Sequence, residues 1–315
     1  MGFQDIKRIE KAQHYLDTAL HKASMRKGKK LRGDRFQNAK TKDLERINII
    51  RDSLAAKFKE INTNFPALDN LSEFYEQLLR ATLDYGQLKK ALASVNWAQK
   101  KIRELARAYR GKLIKAKSIE TLTKEKKAYI GRVSSIVGQI DKHLEYLEKA
   151  RLVIREYPTI KKGLLTICIS GFPNVGKSTL LGKLSTSKPE IKAYAFTTKR
   201  LNLGYAKIRD EKVQFIDTPG TLARPDKMNN IERQAHLAVK YQADMIIYVF
   251  DLTESYPLEG QKKLLNNLKA FRKPIIIYLS KTDILDKDTV AQFRKELQII
   301  TEISELKKEI SKKIK

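Results

Sequence analysis

LLTICISGFPNVGKSTLL, residues 164–181, is the stretch on which the reading of this 315-residue chain turns. Its first seven residues are apolar or small and β-favouring, as a strand buried on both faces of a parallel sheet reads. Then come GFPNVGKS at 171–178, with the spacing G-x-x-x-x-G-K-S, and a helix-compatible run. Strand, glycine-bounded loop and helix N-terminus stand in the order that a phosphate cradle needs. Gly171 and Gly176 let the backbone turn so that successive N–H groups point at an anion. Lys177 can reach the β- and γ-phosphates, and the Ser178 hydroxyl can hold Mg²⁺. With Pro173, Asn174, Val175 and Thr179, these residues form the expected nucleotide site.

Outward from that loop, length and charge set limits. The chain is too long for one compact core and reads as two domains. Apolar residues make up 42%, enough to bury sizeable cores. The net charge of +28 points to a polyanionic partner, nucleic acid or an anionic membrane. The single cysteine, Cys168, falls inside the buried strand, which fits a reducing, cytoplasmic setting. MGFQDIKRIEK at the start carries no signal-peptide run, and no 18-residue apolar stretch spans a membrane.

Residues 1–157 read as helix almost throughout. Apolar positions recur at helical spacing in four sets: Ile6–Leu20 by number 6 to 20, then 44 to 58, 71 to 105 and 130 to 147. Breaks are expected at 28–33, at 62–70 around Pro66, and at Gly111, with Asp69 or Asn70 capping the third set. Four such segments with short connections imply an antiparallel bundle.

The bundle carries the heavier imbalance of charge. Residues 1–160 hold 35 Lys/Arg against 19 Asp/Glu, a surplus of 16. One block crowds Arg26, Lys27, Lys29, Lys30, Arg32 and Arg35 beside two glycines. A second, residues 100–117, has 8 basic residues and one acid, and includes Lys100, Lys101, Arg103, Arg107 and Arg110. Such blocks exceed what solubility requires and read as RNA contacts. Trp97 and Tyr109 beside them either stack on unpaired bases or pack in the bundle core.

Beyond Tyr157 and Pro158 the chain alternates strand and helix. Strands are expected at 164–170, 203–208, 213–216, 244–250, 274–279 and weakly at 297–300, with helices at 177–185, 228–242, 259–271, 287–295 and 304–314. This is the pattern of an α/β domain at 158–315, a mostly parallel sheet with one antiparallel edge strand from the hairpin at 203–216.

Three further segments complete a nucleotide chemistry. DTPG at 217–220 ends a strand, where Asp217 can bind Mg²⁺ and the Gly220 N–H can sense a γ-phosphate. Thr197 or Thr198, twenty residues past the phosphate loop, can complete the metal shell. SKTD at 280–283 follows the strand PIIIYL. Asp283 there can accept both hydrogens from guanine N1 and N2, with Lys281 beside it, so that adenine would strand a buried carboxylate.

In GFPNVGKSTLL, AYAFTTK, DTPGTLARPDKMNNIERQA and YVFDLTESY the chain resembles the Obg-related GTPases, and within them the nucleolar GTP-binding protein (NOG) family. A basic helical bundle placed before the GTPase domain is similar too, so the likeness covers nearly the whole chain. It implies a P-loop GTPase binding GTP or GDP, acting in assembly of the large ribosomal subunit, with the helical domain on ribosomal RNA. The early end after the GTPase domain resembles a short, archaeal-type member. Asn174 matches a position where related GTPases bind K⁺. Ser280 stands where the family usually has Asn, Ala195 where it has Pro, and Thr221 where it has an apolar residue. The last guanine-binding loop has only the segment near Thr301 as a counterpart.

The expected chemistry is Mg²⁺-dependent hydrolysis by in-line attack of water, with charge stabilised by Lys177, Thr198 and Gly220. Thr221 and Leu222 stand where a water-orienting glutamine would be, so turnover is expected to be slow in this monomer and to need an activating partner. The rival readings are an RNA-binding scaffold with GTP as a structural ligand, and a GTPase docked on anionic membrane. Against the latter, the basic blocks lack an apolar insertion face.

Overall fold

The computed structural model describes residues 3–25, 34–161, 163–185, 190–193, 200–218, 230–253 and 256–313. The chain divides into two compact units, Met1–Asn70 with Leu83–Arg155, and Leu71–Thr82 with Glu156–Lys315.

The first unit is an all-helical bundle. It comprises α1 (Ala12–Met25), α2 (Arg35–Asn64), α4 (Tyr85–Lys115), α5 (Ile119–Gln139) and α6 (Asp141–Arg155). The long α2 and α4 pack on each other; α1 lies on α2, and α5 and α6 lie on α4. Leu54, Phe58, Val95, Ile102, Tyr129 and Leu144 fill the space between them, each no more than 1% exposed. Within this core Asp43 is buried and accepts from Lys126 at 3.1 Å and Arg46 at 3.2 Å, which offsets the cost of burying its charge.

Several helix boundaries differ from the sequence reading. Gly111 does not break a helix; α4 runs through it to Lys115. One mid-helix glycine costs only about 1 kcal/mol, less than packing on both sides returns. A break that the periodicity hid falls at Leu83–Asp84, where the Asp84 carboxylate accepts from the Gln87 N–H at 2.9 Å and caps α4. Another separates α5 from α6 at Ile140. Asp69 and Asn70 cap nothing: they sit in a 3-10 turn, Leu68–Asn70, and α3 starts at Glu73. The expected break at 28–33 lies outside the described residues.

α3 (Glu73–Thr82) belongs with the second unit rather than the bundle, so the single expected boundary at 157/158 does not hold for it. Its buried Phe74, Leu78 and Leu79 face inward as α3 packs on α8 (Asn230–Gln242). Polar contacts pin it to the chain that enters the sheet. The Tyr75 hydroxyl donates to Pro158 O at 2.8 Å and accepts from Ile160 N at 3.1 Å, and the Tyr157 hydroxyl meets Thr82.

The rest of this unit is a mixed sheet of β1 (Leu165–Ser170), β2 (Glu190–Ala193), β3 (Arg200–Ile208), β4 (Glu211–Asp217), β5 (Met245–Phe250), β6 (Ile275–Leu279) and β7 (Ile299–Ile300). The order is β2-β3-β4-β1-β5-β6-β7. From β4 to β7 all neighbours are parallel, whereas β2–β3 and β3–β4 are antiparallel. α7 (Lys177–Leu184), α9 (Leu258–Lys269), α10 (Lys287–Glu296) and α11 (Ile303–Lys313) complete it. The hairpin is as expected: Arg209 and Asp210 have φ of 49° and 66°, the two-residue turn whose twist suits adjacent strands. β2, EIKA at 190–193, adds a strand outside it that the sequence reading did not include.

Replacing Asp84 by Ala removes the side-chain cap from α4 and should lower stability by about 1 kcal/mol. A urea titration would show this as a lower midpoint with unchanged slope.

Candidate functional site

Because β4, β1, β5, β6 and β7 run parallel, their carboxyl ends share one edge of the sheet. The register sets Ile169 beside Asp217, Ser170 beside Tyr248, Phe250 beside Leu279 and Tyr278 beside Ile300. Ligands of open α/β sheets bind at this edge.

The loop between β1 and α7 is built as its glycines suggested. Gly171 has φ of 154°, and a Cβ there would lie 2.7 Å from the Val249 carbonyl oxygen, which belongs to a central strand and cannot give way. Gly176, at φ of 88°, precedes the first turn of α7 and opens its N–H groups. Asn174 also takes a positive φ, 59°, and is exposed. Lys177 is buried, and its ammonium donates to Phe172 O across the loop at 2.5 Å. Val175 is fully buried beneath the loop, while Thr179 on α7 is exposed.

At the end of β4, Asp217 is 5% exposed. Its carboxylate accepts from the Ser178 hydroxyl at 2.5 Å and from the Asn202 side-chain N–H at 2.9 Å. Burial pushes this carboxyl above its ordinary range, against the pull of Ser178, Asn202 and the Lys177 charge. A hydroxyl and a buried carboxylate at one point form a donor set that suits a hard divalent cation. Asn202 was not anticipated. As the cross-strand partner of Asp217 on β3, it is signalled only by a register that the sequence does not display.

The end of β6 carries the expected base-recognition loop. Lys281 takes φ of 54° and leads into a 3-10 turn, Thr282–Ile284, that presents Asp283. Asp283 is exposed, not the buried carboxylate that the sequence reading expected. Ser280, in place of the usual amide, reaches the phosphate loop. Its hydroxyl lies 2.7 Å from Val175 O and 2.9 Å from Phe250 O, and can donate to either. Thr301, the expected last-loop counterpart, follows β7 at the same edge and takes a 3.5 Å contact from Arg294. Thr197, Thr198, Gly220 and Thr221 lie outside the described residues.

The bundle shows its second basic block on α4. Lys100, Lys101, Arg103 and Arg107 are exposed, whereas Arg110 is half-buried and donates to the Asn48 side chain at 2.6 Å. Tyr109 is 3% exposed and packs on Tyr129 with ring centroids 5.7 Å apart, so it is a core residue and not a stacking platform. Trp97 is 39% exposed. Arg35 opens α2 and is exposed; Arg26, Lys27, Lys29, Lys30 and Arg32 lie outside the described residues. Among the described residues no helix is long and apolar enough to cross a membrane.

Comparison with known proteins gives two matches along the chain. Residues 3–161 match the family described as the NOG1 N-terminal helical domain, and residues 166–281 the family described as 50S ribosome-binding GTPase. An uncharacterized protein of Methanocaldococcus jannaschii is 34% identical over 85% of this chain and 78% of its own length. Nucleolar GTP-binding protein 1 of Drosophila melanogaster is 31% identical over 96% of this chain and 47% of its own. The protein of that name from Candida glabrata is 30% identical, over 96% and 48%. The chain thus spans about half the length of these nucleolar relatives.

Ser280→Ala would cut the side-chain tie between the two loops. It should speed GDP release several-fold, the equivalent of about 1 kcal/mol for one hydrogen bond. Stopped-flow release of a fluorescent GDP analogue would measure it.

Proposed function

This chain belongs to the nucleolar GTP-binding protein family of Obg-related GTPases, and on that premise we propose that it hydrolyses GTP while acting on the large ribosomal subunit during assembly, held there by its basic helical unit on ribosomal RNA. The observation that carries the nucleotide half is the gathering of Lys177, the Ser178–Asp217 pair and the Lys281–Asp283 loop along one edge of the sheet. The phosphate loop would bind the anionic tail through its N–H groups and the Lys177 ammonium. Ser178 and Asp217 would hold Mg²⁺, which when bound neutralises charge on the phosphates. Asp283 would read guanine by accepting from its N1 and N2 hydrogens.

Catalysis in this reading is positioning and electrostatic stabilisation of a γ-phosphoryl group attacked in line by water. With Thr221 and Leu222 after Gly220, the chain offers no amide there to orient that water. Turnover is therefore slow until a partner or a cation helps. The exposed Asn174 supports a K⁺ role at the loop.

The RNA half is supported by the exposed Lys100, Lys101, Arg103 and Arg107, whose numbers fall at helical spacing along α4. Such a ridge neutralises phosphates without reading bases. Trp97, one turn earlier and partly exposed, supports stacking on an unpaired base.

Lys177→Ala should abolish GTP and GDP binding, measured by calorimetry, because it removes the buried cation of the phosphate loop. Affinity like that of the wild type would refute the site. Reversing Lys100, Lys101, Arg103 and Arg107 to Glu in the full chain should weaken binding to ribosomal RNA and flatten its salt dependence. Each lost phosphate contact removes roughly 0.7–0.9 from the logarithmic slope. A salt titration with GDP affinity as the fold control reads this, and equal slopes would move the contact off α4.

A further inference from the structure

Behind the base-recognition loop lies a buried carboxylate that the proposed chemistry does not use. Asp251 follows the last residue of β5 and is 1% exposed. Its two oxygens are divided between two partners. Oδ1 accepts from both the N–H and the hydroxyl of Thr253, at 2.9 and 2.7 Å, while Oδ2 lies 2.6 Å from the Lys281 ammonium. Burial raises this carboxyl, but Lys281 and Thr253 outweigh it and hold the group below its ordinary value, so it is an anion.

The backbone of Asp251 is held as firmly as its side chain. Gln261 on α9, itself 1% exposed, accepts from Asp251 N at 3.0 Å and donates to Asp251 O at 2.7 Å. One side-chain amide thus supplies what a neighbouring strand would supply, and fixes where the carboxylate sits. The Tyr248 hydroxyl in turn donates to Gln261 O at 2.7 Å.

What this anchor holds is a strained residue. Lys281 has φ of 54° and ψ of 34°, a left-handed conformation that is uncommon and strained for a lysine. The turn bearing Asp283 starts from it, closed by Ile284 N donating to Lys281 O at 3.3 Å. Fixing the ammonium of Lys281 therefore fixes the origin of the turn that carries Asp283, two residues on.

We propose that Asp251, seated by Gln261, is the positioning residue of guanine recognition, acting through Lys281 to set the orientation of Asp283. The inference rests on the reading of Asp283 as the base-recognition residue. Asp251 itself touches no part of the nucleotide in that reading. A merely structural ion pair would stabilise the fold without affecting which purine is preferred, and that difference makes the role testable.

The probes are GDP and IDP, which differ by the 2-amino group whose hydrogen Asp283 would accept. Full-length Asp251→Asn keeps the shape and one acceptor oxygen but loses the charge. It should bind GDP about tenfold more weakly and bring the GDP-to-IDP affinity ratio close to one, as expected when a hydrogen-bonded contact is misaligned. Lys281→Met, altered at a partly exposed side chain, should compress the ratio equally, and the double variant should be no worse than either single one. If Asp251→Asn does not fold, Lys281→Met alone decides by the same ratio. A ratio left at its wild-type value in the folded variants, with only the melting temperature changed, would overturn the proposal. Asp283→Asn separates the two levels. A switch to XDP with the ratio intact in Asp251→Asn sinks only the positioning role; unchanged GDP preference sinks the guanine reading and this inference with it.

Discussion

Parallel strands can be joined only by crossovers that carry the chain back across the sheet, and this constraint governs the second unit. Five neighbouring strands here run parallel, so five carboxyl ends emerge on the same edge. Each must hand the chain to a loop or helix while leaving its last polar groups satisfied. β1 does so through Gly171, β4 through Asp217, β5 through Asp251 and β6 through Ser280. The hydrophobic interior behind them, with Ile167, Ile169, Phe215, Ile247 and Val249 fully buried, makes those ends stiff.

Burial of polar groups follows the same line. Asp217, Asp251, Gln261 and Ser280 are all buried, and each is hydrogen-bonded to a neighbour at this edge. In a low-dielectric setting a network of this kind gains from completeness, since any one unpaired member costs about 1–3 kcal/mol. Ser280 shows how a departure from a familiar pattern is absorbed. A shorter side chain still spans from β6 to the phosphate loop, its hydroxyl 2.7 Å from Val175 O.

The phosphate loop, Asp217 and the Lys281–Asp283 segment were legible in the sequence because local spacing alone defines them. So was the sheet, where apolar runs such as MIIYVF and PIIIYL announce strands without help from context. What stayed hidden depends on pairing or on competition between forces. Asn202 matters only through its cross-strand register, and Asp251 and Gln261 only through each other. Gly111 was overrated as a breaker because packing outweighs its propensity, and the break at Leu83–Asp84, which is set by the Asp84 cap, was overlooked. For Tyr109, where both stacking and core packing were open in the sequence, the structure gives the core packing.

The excursion of α3 makes the second unit discontinuous in sequence, and this bears on the order in which the protein can fold during synthesis. About 150 residues separate the end of α3 from the start of α8, the helix on which it packs. At roughly 5–20 residues per second, α3 leaves the ribosome some 8–30 s before its partner exists. Through that interval Phe74, Leu78 and Leu79 have no permanent cover, while the residues flanking them are already able to join the bundle. Nascent α3 is therefore open to chaperone capture or mispairing until α8 is made.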